Sequence, residues 1–361
     1  SLRRRTVLVE TFRGRSTGDS PGAVGRALLA RDRAEGLGLD VAFVVDDPSV
    51  EVPRGGRVVV RRSAAWHHAM CSAGAYVTNA AAPYWWHKPD GQVQVQTWHG
   101  TPLKRIGEDR GPGDFNTWRH RRHVARQAAA WDVMVSQSPF CSRAYRSAFG
   151  YDGRILDSGY PRNDLLRSPE ADAVRSDVRR RLGVAPDQRA VLYAPTWREY
   201  LGTRDAKPLL LDAERVAAAL PGTHVLVRGH YNSIGQADVF VGHPWVHDVT
   251  GYPDVADLFL AADALVTDYS SVVFDYALTD RPIVLLTPDL EQYRDVERGF
   301  YLDIEEIAPG PLVRTTDEVV DVLGAGDDRA AGRASFRERF CPWDDGGASG
   351  RVVDYLLDAL A

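Results

Sequence analysis

The segment Ala264-Leu265-Val266-Thr267-Asp268-Tyr269-Ser270-Ser271-Val272-Val273-Phe274-Asp275 runs from an apolar strand directly into small hydroxyl residues that open a helix. A helix start leaves backbone N–H groups without intrahelical partners and carries partial positive charge, so Ser270 and Ser271 either cap the helix or receive an anion. A second apolar strand ends the same way at Gln96-Thr97-Trp98-His99-Gly100-Thr101-Pro102-Leu103-Lys104. Two such turns in one chain suggest two lobes serving one ligand.

The alternation extends over the whole sequence. Strand-like runs fall at Thr6–Glu10, Asp40–Val45, Arg57–Val60, Ala75–Asn79, Gln92–Gln96 and Val133–Ser136, with helical stretches at Ala23–Ala34 and Trp118–Ala130. The second half repeats it, with strands at Ala190–Tyr193, His224–Arg228, Ala264–Thr267 and Ile283–Leu286 and helices near Ala213–Leu220, Val255–Ala261, Ser271–Leu278 and Thr316–Leu323. This reads as an α/β fold of two doubly wound, mostly parallel sheets with helices on both faces. At 361 residues, two domains with full cores are expected. The division is drawn between 165 and 166, before a charged helix at about Pro169–Leu182. Residues 166–349 form the second domain, and a C-terminal helix over 350–361 crosses back onto the first.

Composition narrows the function classes. Hydrophobic content of 44% and charged content of 26% are those of a globular protein, and a net charge of −5 gives no reason to expect nucleic acid as partner. Arginine greatly outnumbers lysine, which suits planar recognition of phosphate. Cys71, Cys141 and Cys341 lack the paired spacing of a zinc site or disulfide framework, which points to a reducing cytoplasm. No apolar run reaches the eighteen residues of a membrane span.

Several side chains sit where sheets of this kind bind ligands, at the carboxyl ends of strands. His99 follows a strand within a Gly/Thr/Pro turn, with Lys104 close by, and imidazole titrates near neutrality, so it is a candidate general base or a hydrogen-bonded loop histidine. Arg228-Gly229-His230 repeats the basic-residue, glycine and histidine pattern, so Arg228 and His230 suit a diphosphate or belong to a plain surface loop. Thr196 and Arg198 in Tyr193-Ala194-Pro195-Thr196-Trp197-Arg198 occupy the equivalent place after another strand, as phosphate contacts or as a capped turn. Asp268 and Asp275 do not form a metal-ligand pattern, and Asp268 reads as a cap or orienting group beside the phosphate turn. Gly14-Arg15-Ser16 belongs to a glycine- and hydroxyl-rich loop that shapes an acceptor pocket, with Lys104, or is a plain capped loop. Trp85-Trp86-His87-Lys88 is a packed surface or an amphipathic contact.

These motifs taken together resemble the CDP-glycerol glycerophosphotransferases, the family of teichoic acid primases and polymerases. The resemblance covers nearly the whole chain through GRSTGDSP from Gly14, WHGTPLK from Trp98, SQSPFCSRAYRSAFGY from Ser136, GYPRNDLL from Gly159, YAPTWRE from Tyr193, TDYSSVVFDYA from Thr267 and RPIVLLTPDLEQYRDVERGFYLD from Arg281. It implies a GT-B type fold, two Rossmann-like domains with the active site in the cleft. His99 would be the base that deprotonates an acceptor hydroxyl, and His230 would contact the donor diphosphate and stabilise departing CMP. Ser270 and Ser271 would bind donor phosphate. Where many members carry Asn-Pro-Lys after the glycine loop, this chain has Ser20-Pro21-Gly22.

The implied reaction is attack of a hydroxyl on the β-phosphorus of CDP-glycerol, with charge neutralised by protein groups and no metal or other cofactor. The expected partners are a CDP-alditol donor and a lipid-linked glycan or polyol-phosphate acceptor, at the inner face of the membrane, where Trp85-Trp86-His87-Lys88 or Arg119–Arg126 would touch anionic lipid. The alternatives are a ribitol-phosphate transferase or capsule polymerase of the same family, a sugar-nucleotide glycosyltransferase that releases a nucleoside diphosphate, and a non-catalytic homologue.

Overall fold

A computed structural model describes residues 2–110, 118–196, 209–229, 242–326 and 329–361. The chain separates into two compact units: Ser1–Thr101 with Ile106–Arg167 and Pro342–Ala361, and Pro102–Arg105 with Ser168–Cys341.

The first unit is built on seven parallel strands: β1 (Arg3–Glu10), β2 (Asp40–Val45), β3 (Arg57–Val60), β4 (Ala73–Thr78), β5 (Val93–Gln96), β6 (Val133–Ser136) and β7 (Arg154–Asp157). Their order, β3-β2-β1-β4-β5-β6-β7, reverses direction at β1/β4. Central strands are buried on both faces, so β2 and β4 read as nearly continuous apolar runs. Helices α1 (Asp19–Glu35), α2 (Ala64–Ser72), α3 (Trp118–Ala130) and α4 (Pro139–Phe149) make the crossovers. Ser63 and Ser138 cap α2 and α4 by accepting from the N–H groups of Trp66 and Cys141.

The second unit contains α5 (Ala171–Arg181), β8 (Arg189–Tyr193), α6 (Ala213–Ala219), β9 (Thr223–Val227), β10 (Val246–Asp248), α7 (Val255–Ala261), β11 (Ala264–Thr267), α8 (Val272–Tyr276), β12 (Ile283–Leu286), α9 (Leu290–Gln292), α10 (Ile304–Ile307), β13 (Leu312–Val313), α11 (Thr316–Ala325) and α12 (Ala330–Phe340). Its parallel sheet has the order β10-β9-β8-β11-β12-β13 and reverses at β8/β11.

The last helix, α13 (Ala348–Leu360), belongs to the first unit. Val352, Val353 and Leu356 pack with Val7, Val9, Val24 and Leu28 in one buried cluster. Asp164 accepts from the N–H groups of Ala348 and Ser349 at 2.9 and 2.7 Å, supplying from a distant loop the oxygen that satisfies the helix start. Gly159, at φ 78°, brings the chain against Trp343, where an added Cβ would stand 2.5 Å from a carbonyl oxygen.

Most expected elements stand where the periodicity placed them. Helix α1 begins at Asp19, four residues before the expected Ala23. Arg228 falls just beyond β9. Strands β7, β10 and β13 and helices α2, α4 and α12 were not among the expected elements. Among the described residues no helix is long and apolar enough to cross a membrane.

Candidate active site

In the first unit, the carboxyl ends of β1, β4 and β5 bring together Glu10, Asn79 and His99 near the β1/β4 switch point, where doubly wound sheets bind ligands. His99 is exposed, and its Nδ1 lies 3.0 Å from the carbonyl oxygen of Asn79. A carbonyl only accepts, so Nδ1 carries the proton and the lone pair of the neutral ring sits on Nε2. Trp98 stacks on the imidazole at 4.3 Å between ring centroids, and the edge of Phe12 stands at 6.2 Å. The turn that delivers His99 is held by Gln96 Oε1, which accepts from Trp98 N at 2.9 Å, and by the hydrogen bond from Thr97 N to Thr78 O at 2.9 Å.

Beneath this turn lies a buried polar layer. Arg162, brought in by the turn of 3-10 helix after Gly159, donates through Nη1 to Asp19 Oδ2 and to the carbonyl of His99, each at 3.0 Å. Asp19 Oδ1 accepts from Asn79 Nδ2 at 3.2 Å. Glu10 accepts from the hydroxyl of Tyr76 and from Arg61 Nε, the latter at 3.1 Å. Burial pushes its carboxyl above the ordinary value, against the lowering by Tyr76 and Arg61. Asn79, Asp19 and Arg162 were not singled out from sequence; Asp19 and Arg162 lay inside quoted motifs, and the 63-residue separation of Arg162 from His99 hides their contact until the fold closes it.

Gly14 adopts φ 86°, accepts from Asp46 N at 2.7 Å, and a Cβ there would meet that nitrogen at 2.8 Å. Ser16 Oγ accepts from Gly18 N at 3.0 Å, and Arg15 is exposed.

In the second unit, the ends of β8, β9 and β11 gather Thr196, Arg228, Asp268, Ser270 and Ser271 around the β8/β11 switch point. Asp268 is 2% exposed and accepts from Thr196 N with both oxygens, at 2.9 and 3.0 Å. Arg228 donates to the carbonyls of Val249 and Tyr252 at 3.2 and 2.8 Å, so its guanidinium braces the loop after β10, and burial lowers its pKa. Ser271 stands at the cap position of α8 with no side-chain capping bond. The helix is five residues long, so any anion it receives is held by first-turn N–H groups rather than by a long macrodipole. Arg198 and His230 lie outside the described residues.

Lys104 groups with this second unit rather than with Gly14, Arg15 and Ser16. It forms an antiparallel bridge with Phe300, and its Nζ stands 5.9 Å from the ring centroid of Tyr293, which stacks on Tyr269 at 4.5 Å. In the Trp85-Trp86-His87-Lys88 cluster, Trp86 is a core residue whose Nε1 donates to Met70 O, and Lys88 pairs with Asp132 at 2.8 Å. Trp85 and His87 are exposed.

Two doubly wound α/β units, each with polar side chains gathered at the switch point of its parallel sheet, define a Rossmann-like protein. A family model described as CDP-glycerol:poly(glycerophosphate) glycerophosphotransferase matches residues 1–358, and the chain belongs to that family. The teichoic acid glycerol-phosphate transferase of Staphylococcus aureus is 33% identical over 97% of this chain and 92% of its own length. The teichoic acid poly(glycerol phosphate) polymerase of Bacillus subtilis is also 33% identical, over 99% of this chain, which spans only 49% of that polymerase. A solved structure of the wall teichoic acid polymerase TagF superposes with a TM-score of 0.91 at 31% identity, covering 99% of this chain and 90% of that one. TagF has also been solved with a histidine replaced by asparagine and soaked with CDPG, and with a histidine replaced by alanine.

Proposed function

We propose that this protein transfers glycerol phosphate from CDP-glycerol to a hydroxyl of a teichoic-acid-type acceptor and releases CMP. The observation that carries the reading is the His99 imidazole, exposed at a strand's carboxyl end with its Nδ1 proton committed to the Asn79 carbonyl. That arrangement directs the basic Nε2 to a substrate proton. The histidine variants chosen in TagF support the same emphasis.

In this reaction the acceptor oxygen attacks the β-phosphorus as its proton passes to His99 Nε2. The bond from β-phosphorus to the bridging oxygen breaks, and CMP departs with that oxygen. Phosphoryl transfer asks the protein for positioning and charge neutralisation. The Thr196–Asp268 clip shapes the donor turn, with Ser270, Ser271, Arg198 and His230 meeting the diphosphate. Lys104, anchored in the second unit, serves the donor side rather than the acceptor loop. We expect no metal requirement, because basic and hydroxyl side chains together with the helix start neutralise the diphosphate.

The protein works at the cytoplasmic face of a membrane on a lipid-linked acceptor. Support comes from α3, where exposed Trp118 sits with exposed Arg119, Arg121, Arg122 and Arg126, near exposed Tyr84, whose ring stacks on His123 at 4.1 Å. Such a surface suits anionic headgroups. Incubation with CDP-glycerol, CDP-ribitol and UDP-sugars, each with a prenyl-diphosphate disaccharide carrying glycerol phosphate, tests the reaction. CMP from CDP-glycerol supports it. CMP from CDP-ribitol alone replaces the donor, and release of UDP makes the protein a glycosyltransferase.

A further inference from the structure

His99 is exposed, yet its backbone is anchored from below by an ion pair that is almost sealed from water. The side chains of Arg162 and Asp19 are each 7% exposed, and a single guanidinium nitrogen, Nη1, serves both Asp19 Oδ2 and the carbonyl of His99 at 3.0 Å. The other oxygen of Asp19 holds Asn79 Nδ2 at 3.2 Å, and it is the Asn79 carbonyl that meets His99 Nδ1 at 3.0 Å. Asn79 Oδ1 in turn accepts from Phe12 N at 2.8 Å, and Phe12 lies against the imidazole. The histidine is therefore gripped at its main chain by Arg162 and at its ring by Asn79, and both grips meet at Asp19.

A buried ion pair is a weak source of stability because desolvation offsets most of the attraction. What it supplies is fixed geometry. The backbone around it shows the same specialisation: Phe12, Arg13, Asp19 and Trp98 have φ of 47°, 59°, 55° and 53°, four of the six non-glycine positive φ values among the described residues. Non-glycine residues enter this region at a cost and persist where surrounding contacts over-determine them, commonly at functional sites. Trp98 immediately precedes His99, and Asp19 opens α1 at the pair itself.

We propose that the Arg162–Asp19 pair is the positioning element for His99, fixing its ring orientation and its Nδ1-protonated tautomer through Asn79. The proposal rests on the transferase reading, in which His99 is the base. Arg162 and Asp19 act through His99 and are positioning residues.

The test is a set of mutant cycles read by CMP release from CDP-glycerol. Arg162→Met and Asp19→Asn are made singly and together, in the native and His99→Ala backgrounds. The double change leaves no unpaired buried charge and so protects folding if a single variant does not accumulate. In the native background kcat falls roughly 10- to 100-fold, because small misplacements of a catalytic group cost on that order, while KM for the donor stays within about twofold. In the His99→Ala background the same changes alter kcat by less than about twofold, since nothing is left to position. An equal loss in both backgrounds assigns the pair a general structural role and overturns the proposal, as does native kcat in the paired variant. If His99→Ala itself is as fast as the native protein, the reading of His99 as base fails instead, so the two failures are distinguishable.

Discussion

The N–H of Thr196 is shared by the two carboxylate oxygens of Asp268, at 2.9 and 3.0 Å, which clips the exit of β8 to the exit of β11 at the point where the second sheet reverses. Thr267 Oγ1 adds a bond to Ala194 O at 2.7 Å, so both strand ends are stitched before either loop begins. A carboxylate beside a phosphate-type turn is therefore an organiser of backbone donors.

Asp268→Asn puts an amide where a two-oxygen acceptor stood. Losing part of a charge-assisted bond at a buried site costs about 1–3 kcal/mol. We expect a lower melting temperature and roughly tenfold weaker binding of CDP-glycerol, measured by calorimetric titration. Native donor affinity in the folded variant would refute the clip's role.

The second unit also contains a histidine pair away from these turns, with His224 buried and His247 half-buried. His224 Nδ1 lies 2.8 Å from His247 Nε2, and His224 Nε2 lies 2.9 Å from Gln188 Oε1. Burial, then the neighbouring His247 and Arg179, lowers the pKa of His224, and burial followed by His243 lowers that of His247. Unfolded histidine titrates near 6.5, so the folded state disfavours protonation. The pair's contribution is complete above about pH 6.5 and is lost as the pH falls below it toward the depressed folded values. Melting temperature should be flat from about pH 7 to 8 and decline below about 6.5, with a shallower decline in His247→Asn. An identical acid slope in that variant would contradict this account.

Asp164 holds the start of α13 through Ala348 N and Ser349 N. Asp164→Ala removes a cap worth about 1 kcal/mol and should lower the denaturant midpoint accordingly. Leu356→Ala, within the cluster that α13 completes, should cost more, about 2–5 kcal/mol. Equal midpoints for Leu356→Ala and the native protein would mean that α13 adds nothing to the first unit.

Metal independence is tested by chelation. CMP release should be unchanged by EDTA, since the reading neutralises the diphosphate with protein groups. Loss of activity restored by Mg²⁺ would contradict it.

The sheet centres were legible because β2, β8, β11 and β12 are largely buried on both faces and appear as nearly continuous apolar runs. The edges were not. Strand β7 is Arg-Ile-Leu-Asp with both ends exposed, and β13 is two residues long, so neither has enough length or alternation to signal. His99 was legible as a histidine in a glycine turn, whereas its supports were not: Asp19 looks like an ordinary helix-opening acid and Arg162 is one of many arginines. Lys104 shows the same limit, since five residues of sequence tie it to His99 while its contacts lie with Tyr293 and Phe300. Of two adjacent tryptophans, Trp86 is core and Trp85 is surface, a difference that the depth of packing decides.

The most direct measurement is acceptor-dependent CMP release from CDP-glycerol by the native protein and by His99→Ala, with donor binding measured on both. The account predicts release by the native protein and a rate about 10²–10⁴-fold lower in the variant, the range for loss of a general base, with donor affinity retained. Equal rates in the two proteins, or no CMP from the native one, would contradict it.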